Sequence, residues 1–182
     1  MQADVVKRWL AGVVAFRPAA FEEIARSSPL WMASIIVAGG GALVNGIGAW
    51  AAGLSIDALI AATLAGVVAS LLGWVGVAAL LAAVSKSWLL ASLTWPSTLR
   101  IAGFAALWRW AGVVPISWAG VMADALAVLA LLSALLTLGP AKPARVAMVL
   151  FVSVGTGFVL HALAGRLMYA ILLALGVWIS SI

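Results

Sequence analysis

Residues 27–56 carry no charged side chain, and after the single charge of Asp57 neither do residues 58–85. A helix needs about 20 apolar residues to cross roughly 30 Å of hydrocarbon, and each run exceeds that. Trp31 and Trp50 sharpen the reading of the first run. They stand about 28 Å apart along a helix rising 1.5 Å per residue, which suits indoles seated at both interfaces of a bilayer. The chain is expected to live in a membrane.

Composition points the same way. Hydrophobic residues make up 66% of the chain and charged residues 8%, with a mean hydropathy of +1.26. Globular domains carry about 25% charged residues, so no sizeable soluble domain is expected. A net charge of +5 would suggest nucleic acid in a soluble protein. Here the basic residues lie between apolar runs, where they set topology, and no basic stripe with interleaved aromatics is present. Nucleic-acid binding is therefore not expected. The absence of cysteine excludes disulfides, iron–sulfur clusters and thiolate metal sites. Residues 1–28 mix charges throughout and lack the early apolar core of a cleavable signal peptide.

The fold expected is all-α, a polytopic transmembrane bundle in two parts: a cytoplasmic interfacial segment, residues 1–28, and a transmembrane domain, residues 29–182. Within the first part, Val5, Val6, Trp9, Leu10, Val13 and Val14 alternate with Asp4, Lys7 and Arg8, the pattern of an amphipathic helix. Lys7, Arg8 and Trp9 are its candidate membrane-surface residues, suited to an anionic leaflet; a loosely ordered tail is the alternative. Arg17-Pro18 breaks this helix, and Pro18 can open a second. Five spans follow, at about residues 30–52, 58–82, 100–114, 118–138 and 145–165. Pro96 disfavours helical geometry at Trp95, so the connector holding Lys86, Trp88 and Trp95 is read as re-entering along the surface. Residues 167–182 are either an apolar tail or a short sixth span beginning at Gly165-Arg166. Lys7, Arg8, Arg17 and Arg26 precede the first span, while Lys86, Arg100, Lys142 and Arg145 occupy the even-numbered connections. The positive-inside bias then puts the N-terminus in the cytoplasm.

Two stretches in this layout resemble the YIP1 family of polytopic membrane proteins. Phe16-Arg17-Pro18-Ala19-Ala20-Phe21-Glu22-Glu23-Ile24-Ala25 is similar to that family's entry to its first helix. Thr98-Leu99-Arg100-Ile101-Ala102-Gly103-Phe104-Ala105, followed by Val114-Pro115, is similar to its third span. Leu107-Trp108-Arg109-Trp110 departs from the pattern, standing where members often carry a proline. The resemblance implies a five-span accessory or scaffold protein of the bacterial inner membrane that contacts other membrane components, and it implies little chemistry.

Enzyme signatures are absent, and neither a metal nor an organic cofactor is expected. One histidine cannot make H-E-x-x-H, and no phosphate-binding G-x-x-x-x-G-K-[ST] occurs. What remains is a set of polar residues at similar depth: Arg109, Asp124, Asn45 and His161. Arg109 and Asp124 flank Pro115 so as to face each other across an antiparallel hairpin. Unpaired charges there would cost roughly 2.5–3.5 kcal/mol each, so they are expected to pair. They form either a structural pin, with Asn45 and His161 hydrogen-bonding between helices, or a working polar pocket. Residues at i,i+4 spacing, mostly small, form ridges for close helix packing: Ala42 and Gly46; Ala65, Ala69 and Gly73; Ser153, Gly157, His161 and Gly165. Ala62, Gly66 and Ser70 make a parallel ridge. The function expected first is that of an accessory or scaffold subunit, with the lipid bilayer and other membrane proteins or a second copy as partners. The alternative is a small transporter or lipid-handling protein using the Arg109–Asp124 region.

Overall fold

The computed structural model describes residues 3–85, 93–114 and 118–174, and these form an all-helical chain with no strand among them. Two short helices, α1 (Ala3–Val14) and α2 (Pro18–Ser27), are followed by α3 (Leu30–Ala51), α4 (Ile56–Val84) and α5 (Trp95–Ala105). A 3₁₀ segment, Ala106–Val113, continues α5 and leads to α6 (Ala119–Leu138) and α7 (Pro143–Ala174). Helices α3, α4, α6 and α7 are long and apolar enough to cross a membrane. Lys86 and Trp88 of the expected connector, Pro115 and Ser117 of the expected turn, and residues 175–182 of the tail lie outside the described residues.

The first two expected spans coincide with α3 and α4 to within two residues. The α3–α4 connection is tight because Gly53 adopts φ +71°, so that Gly53 N–H reaches Trp50 and Leu54 N–H reaches Ala49. That pair of bonds closes a helix end with a left-handed residue. Helix α4 then serves as the central strut, packing on α3 along one side and on α7 along another. Glycines set both approaches. A Cβ on Gly41 would collide with the Gly66 carbonyl and with the Ser70 hydroxyl, and one on Gly73 would stand 2.9 Å from the Gly157 oxygen.

Three expectations need correction. Helix α5 begins at Trp95, not after Pro96, because Pro96 falls in the first turn, where its missing N–H has no helical partner to lose. The Thr94 hydroxyl caps that turn by accepting from Ser97 N–H. The expected third span is not one α-helix, since eight of its residues are wound as 3₁₀, where runs beyond 3–4 residues are uncommon. Its three-residue repeat sends Trp110 to α3, where the indole donates to the Ile36 carbonyl at 2.8 Å. Trp108, on a second side, stacks on Phe16 at 5.4 Å. Finally, α7 continues through Gly165-Arg166 without a break to Ala174, for nothing at that dipeptide removes a helical hydrogen bond. Its 32 residues reach about 48 Å at 1.5 Å per residue, beyond one hydrocarbon thickness.

The N-terminal segment is helical, as its periodicity predicts, but its apolar face is covered by protein. Trp9 is 2% exposed and meets Phe104 edge-on, with centroids 6.1 Å apart. Trp9 is therefore a core residue and no membrane-surface anchor, while Lys7 and Arg8 face outward. Helices α1 and α2 fold as a hairpin tied by Arg8 and Glu23 at 2.7 Å. The turn places Phe16 at φ +51°, with Phe16 N–H bonded to Val13 and Arg17 N–H to Gly12. A bulky residue rarely adopts that conformation; here the stack on Trp108 holds the ring in place. At the hairpin's other end, Ser97 Oγ and an Arg100 N–H both donate to the Ala25 carbonyl, at 3.1 and 3.0 Å. Such donors complete the orphan carbonyls at a helix C-terminus.

Candidate functional site: a cavity with a polar end

Helix α7 packs mainly on α4 rather than on its sequence neighbour α6. A cavity of about 770 Å³ opens between α4, the α5–3₁₀ rod, α6 and α7. Ligand pockets typically measure about 300–1,000 Å³, so its size suits a bound molecule. Its walls are apolar: Trp74 and Val77 from α4, Leu131 from α6, Leu150 and Val154 from α7. Trp74 is fixed by donating its indole N–H to the Leu99 carbonyl at 2.9 Å, which ties α4 to α5.

Four polar residues line the same cavity: Arg109, Asp124, His161 and Ser70. The 3₁₀ winding matters here, because its repeat aligns Ala106 with Arg109 and turns both to the cavity. Arg109 Nε donates to Asp124 Oδ1 at 2.9 Å, and the two side chains are 36% and 61% exposed. The expected pairing across the hairpin is therefore present, at the rim of the cavity and not sealed within it. His161 reaches the cavity because α7 crosses α4 at Gly73; a Cβ there would stand 3.2 Å from the His161 Cβ. His161 Nδ1 is buried and has no hydrogen-bond partner, and the same holds for Ser70 Oγ. Both atoms are sealed from the open space of the cavity, and Ser70 Oγ lies against Gly41 of α3, so each is a packing cost of about 1–3 kcal/mol and no handle for what fills the cavity.

The cavity is not closed on every side. Phe151 and Phe158 line it and are 81% and 70% exposed. Both lie on α7, so the opening faces sideways, where lipid would surround the bundle.

Asn45 does not join this group. Its side-chain amide donates to the Gly41 carbonyl one turn back, at 2.9 Å, and lies against Gly66 in the α3–α4 contact. That bond stays within one helix because α4 offers only the glycine backbone opposite. The expected four-residue cluster thus reduces to three, with Ser70 added from the small-residue ridge. No group of three His, Asp or Glu suited to a metal occurs among the described residues.

The small-residue ridges divide in the same way. Gly73 and Gly157 are at the α4–α7 crossing, and Ala69 beside them is buried. Ala65 is half-buried on the same helix. Ala42 and Gly46 border a shallow groove between α3 and α4, where a Cβ on Gly46 would stand 2.7 Å from the Thr63 hydroxyl. A Cβ on Gly165 would have nothing within 4 Å, so Gly165 is no packing residue in this chain. Its spacing continues the ridge, but among the described residues no neighbouring helix stands against that end of it. Sequence reasoning also missed Trp74, Phe151 and Phe158, whose types are ordinary for any membrane helix and carry no positional signal. No protein-family model, no curated protein and no solved structure matches this chain.

Proposed function

We propose that this protein holds a membrane-borne amphiphile in the cavity between α6 and α7, and so belongs to the lipid-handling class of membrane proteins. The observation that carries the reading is one cavity combining a sideways apolar mouth at Phe151 and Phe158 with a polar end at Arg109 and Asp124, beside His161. An amphiphile matches both parts. Chains would lie along Leu131, Leu150 and Val154 and pass out between the phenylalanines, with the headgroup beside Arg109.

The α5–3₁₀ rod acts as a fifth crossing. Eleven α residues at 1.5 Å and eight 3₁₀ residues at about 2.0 Å extend roughly 32 Å, which matches the hydrocarbon thickness. By the positive-inside bias the N-terminal hairpin lies in the cytoplasm and the polar end of the cavity toward the outer leaflet. Cysteines at Asp4 and Leu54 should label from opposite sides of intact cells; labelling from one side overturns this topology.

The test of the amphiphile reading is native mass spectrometry of protein purified in mild detergent. Wild type should retain bound lipid, and Ala127→Trp, which fills the cavity from α6, should lose it. Equal lipid retention by the two proteins sinks the reading. An accessory or scaffold role, as the resemblance to YIP1-type proteins implies, is supported by a different observation: among the described residues, Gly48 and Gly165 have open space above them. Energy transfer between labelled copies in bilayers tests self-association through those faces, and its absence removes that form of the second reading.

A further inference from the structure

Residues 106–113 hold a winding that their own sequence does not favour. Ala106, Leu107, Arg109 and Ala111 are good α-helix formers, and α5 runs directly into them with no proline between. Yet all eight residues are 3₁₀, a winding with poorer hydrogen bonds whose runs rarely exceed about 3–4 residues. We infer that this segment is a two-state switch, latched as 3₁₀ by the stack of Phe16 on Trp108 and able to rewind as α. The N-terminal hairpin thereby controls whether Arg109 meets Asp124 at the rim of the cavity. The switch is independent of what fills that cavity.

Three consecutive side chains carry the latch. At three residues per turn they point about 120° apart, and each finds a partner on a different element. Trp108 stacks on Phe16 at 5.4 Å, Arg109 bonds Asp124 at 2.9 Å, and Trp110 donates to the Ile36 carbonyl at 2.8 Å. Gly39 and Gly40 make room for the last, since a Cβ on either would come within 2.9 or 3.0 Å of the indole. An α winding counted from Ala106 swings Arg109 by about 60° and draws it back about 1.5 Å; Trp110 moves by about 80° and 2 Å. Such a turn cannot keep all three contacts. Because they share one short backbone they are made or lost together, which gives two discrete states.

The stack itself joins two unfavourable features. Phe16 holds φ +51°, and strained backbone of this kind collects at switch regions. Across from it, Trp108 Nε1 is buried without a hydrogen-bond partner. Both features, with the winding, narrow the gap between the latched and rewound forms.

The chain has no cysteine, so spin labels can be placed in pairs on the full-length protein in bilayer discs. Ile35 with Val114, and Ile35 with Ala111, join exposed positions on α3 and the far part of the rod. Pulsed electron paramagnetic resonance should give wild type one narrow distance for each pair. Phe16→Ala should move at least one pair to a new distance, because rewinding shortens the eight residues by about 4 Å and turns their far end. Trp108→Ala should reach the same new distance. Phe16→Tyr and Trp108→Phe keep a ring on each side and should retain the wild-type values. Asp124→Asn should lower the melting temperature of wild type by up to about 4 °C and leave that of Phe16→Ala unchanged. Unchanged distances in Phe16→Ala, or a shift in Trp108→Ala alone, overturn the latch. An equal change of melting temperature in both backgrounds, zero included, overturns the link to Arg109. Should Phe16→Ala fail to fold, Phe16→Leu, apolar but without a ring, is measured in its place and decides in the same way.

Discussion

Helices α5 and α7 sit on the same bundle and reverse the rule by which soluble proteins are read. Helix α5 is only 11 residues long and carries Pro96, Thr98 and Arg100, yet seven of its residues, Thr98, Leu99 and Ile101 through Ala105, are buried. Helix α7 has 32 residues and a long apolar sequence, yet Phe151, Phe158, Leu163 and Leu167 all stand exposed. In water the apolar helix would be the core. In a bilayer lipid tails are as apolar as leucine, so apolarity gives no drive for association and marks the outer surface instead. Protein contacts then concentrate where backbones approach closely and polar groups find partners. Helix α5 supplies both, through Gly103 against Ala33 and through Arg100 on the Ala25 carbonyl.

The largest expected difference between the two helices comes from truncating a phenylalanine on each. Phe104 is fully buried beneath Trp9, and Phe104→Ala should cost about 3–5 kcal/mol through the cavity it leaves. Phe151→Ala should stay within about 0.5 kcal/mol. Unfolding in mixed micelles measures both, and equal losses would break the contrast.

Glycines give the next test. A Cβ on Gly103 would stand 2.5 Å from Ala33 Cβ and 3.0 Å from its Cα, so Gly103→Ala should lose about 1–3 kcal/mol by overpacking. A neutral result would mean that α3 and α5 can separate at little cost.

The Arg109–Asp124 pair, which joins the 3₁₀ segment to α6, should show a coupling of up to about 1 kcal/mol in a four-protein stability cycle. Its partial exposure limits the value, as for surface pairs. Zero coupling would mean the two charges act separately, each solvated at the membrane interface. A coupling of several kcal/mol would instead place the pair in a fully dry site.

The smallest effect has the opposite sign. Gly165 on α7 has open space above it among the described residues, and Gly165→Ala should stabilise the helix by about 0.5 kcal/mol. A loss there would reveal a partner on that face, which is the accessory reading's requirement.

Much of the architecture is legible in the chain because a bilayer imposes length and polarity on single segments. The uncharged runs locate α3 and α4, and Gly139-Pro140 marks the end of α6. The Arg109–Asp124 pair is legible too, because two opposite charges across a hairpin have few other partners. The amphipathic pattern of α1 also identifies the face that turns inward. What covers that face is not legible, since an apolar helix face looks the same whether lipid or Phe104 lies against it.

The sequence by itself determined which segments are apolar enough to cross a membrane, and four of the five it offered are helices long enough to do so, because that depends only on local composition and rise per residue. It also determined where small residues line up on a helix. Tertiary structure alone decided which of those faces meet, leaving Gly73 against Gly157 and Gly165 against nothing. It decided the 3₁₀ winding of Ala106–Val113, which rests on Trp110 reaching Ile36 and Trp108 reaching Phe16 across the bundle. And it decided that α7 leans on α4 and stands off α6, opening the cavity. These are outcomes of contacts between residues distant in the chain, and in lipid, where apolar surface alone selects no partner, only the fit of backbones and hydrogen bonds chooses among them.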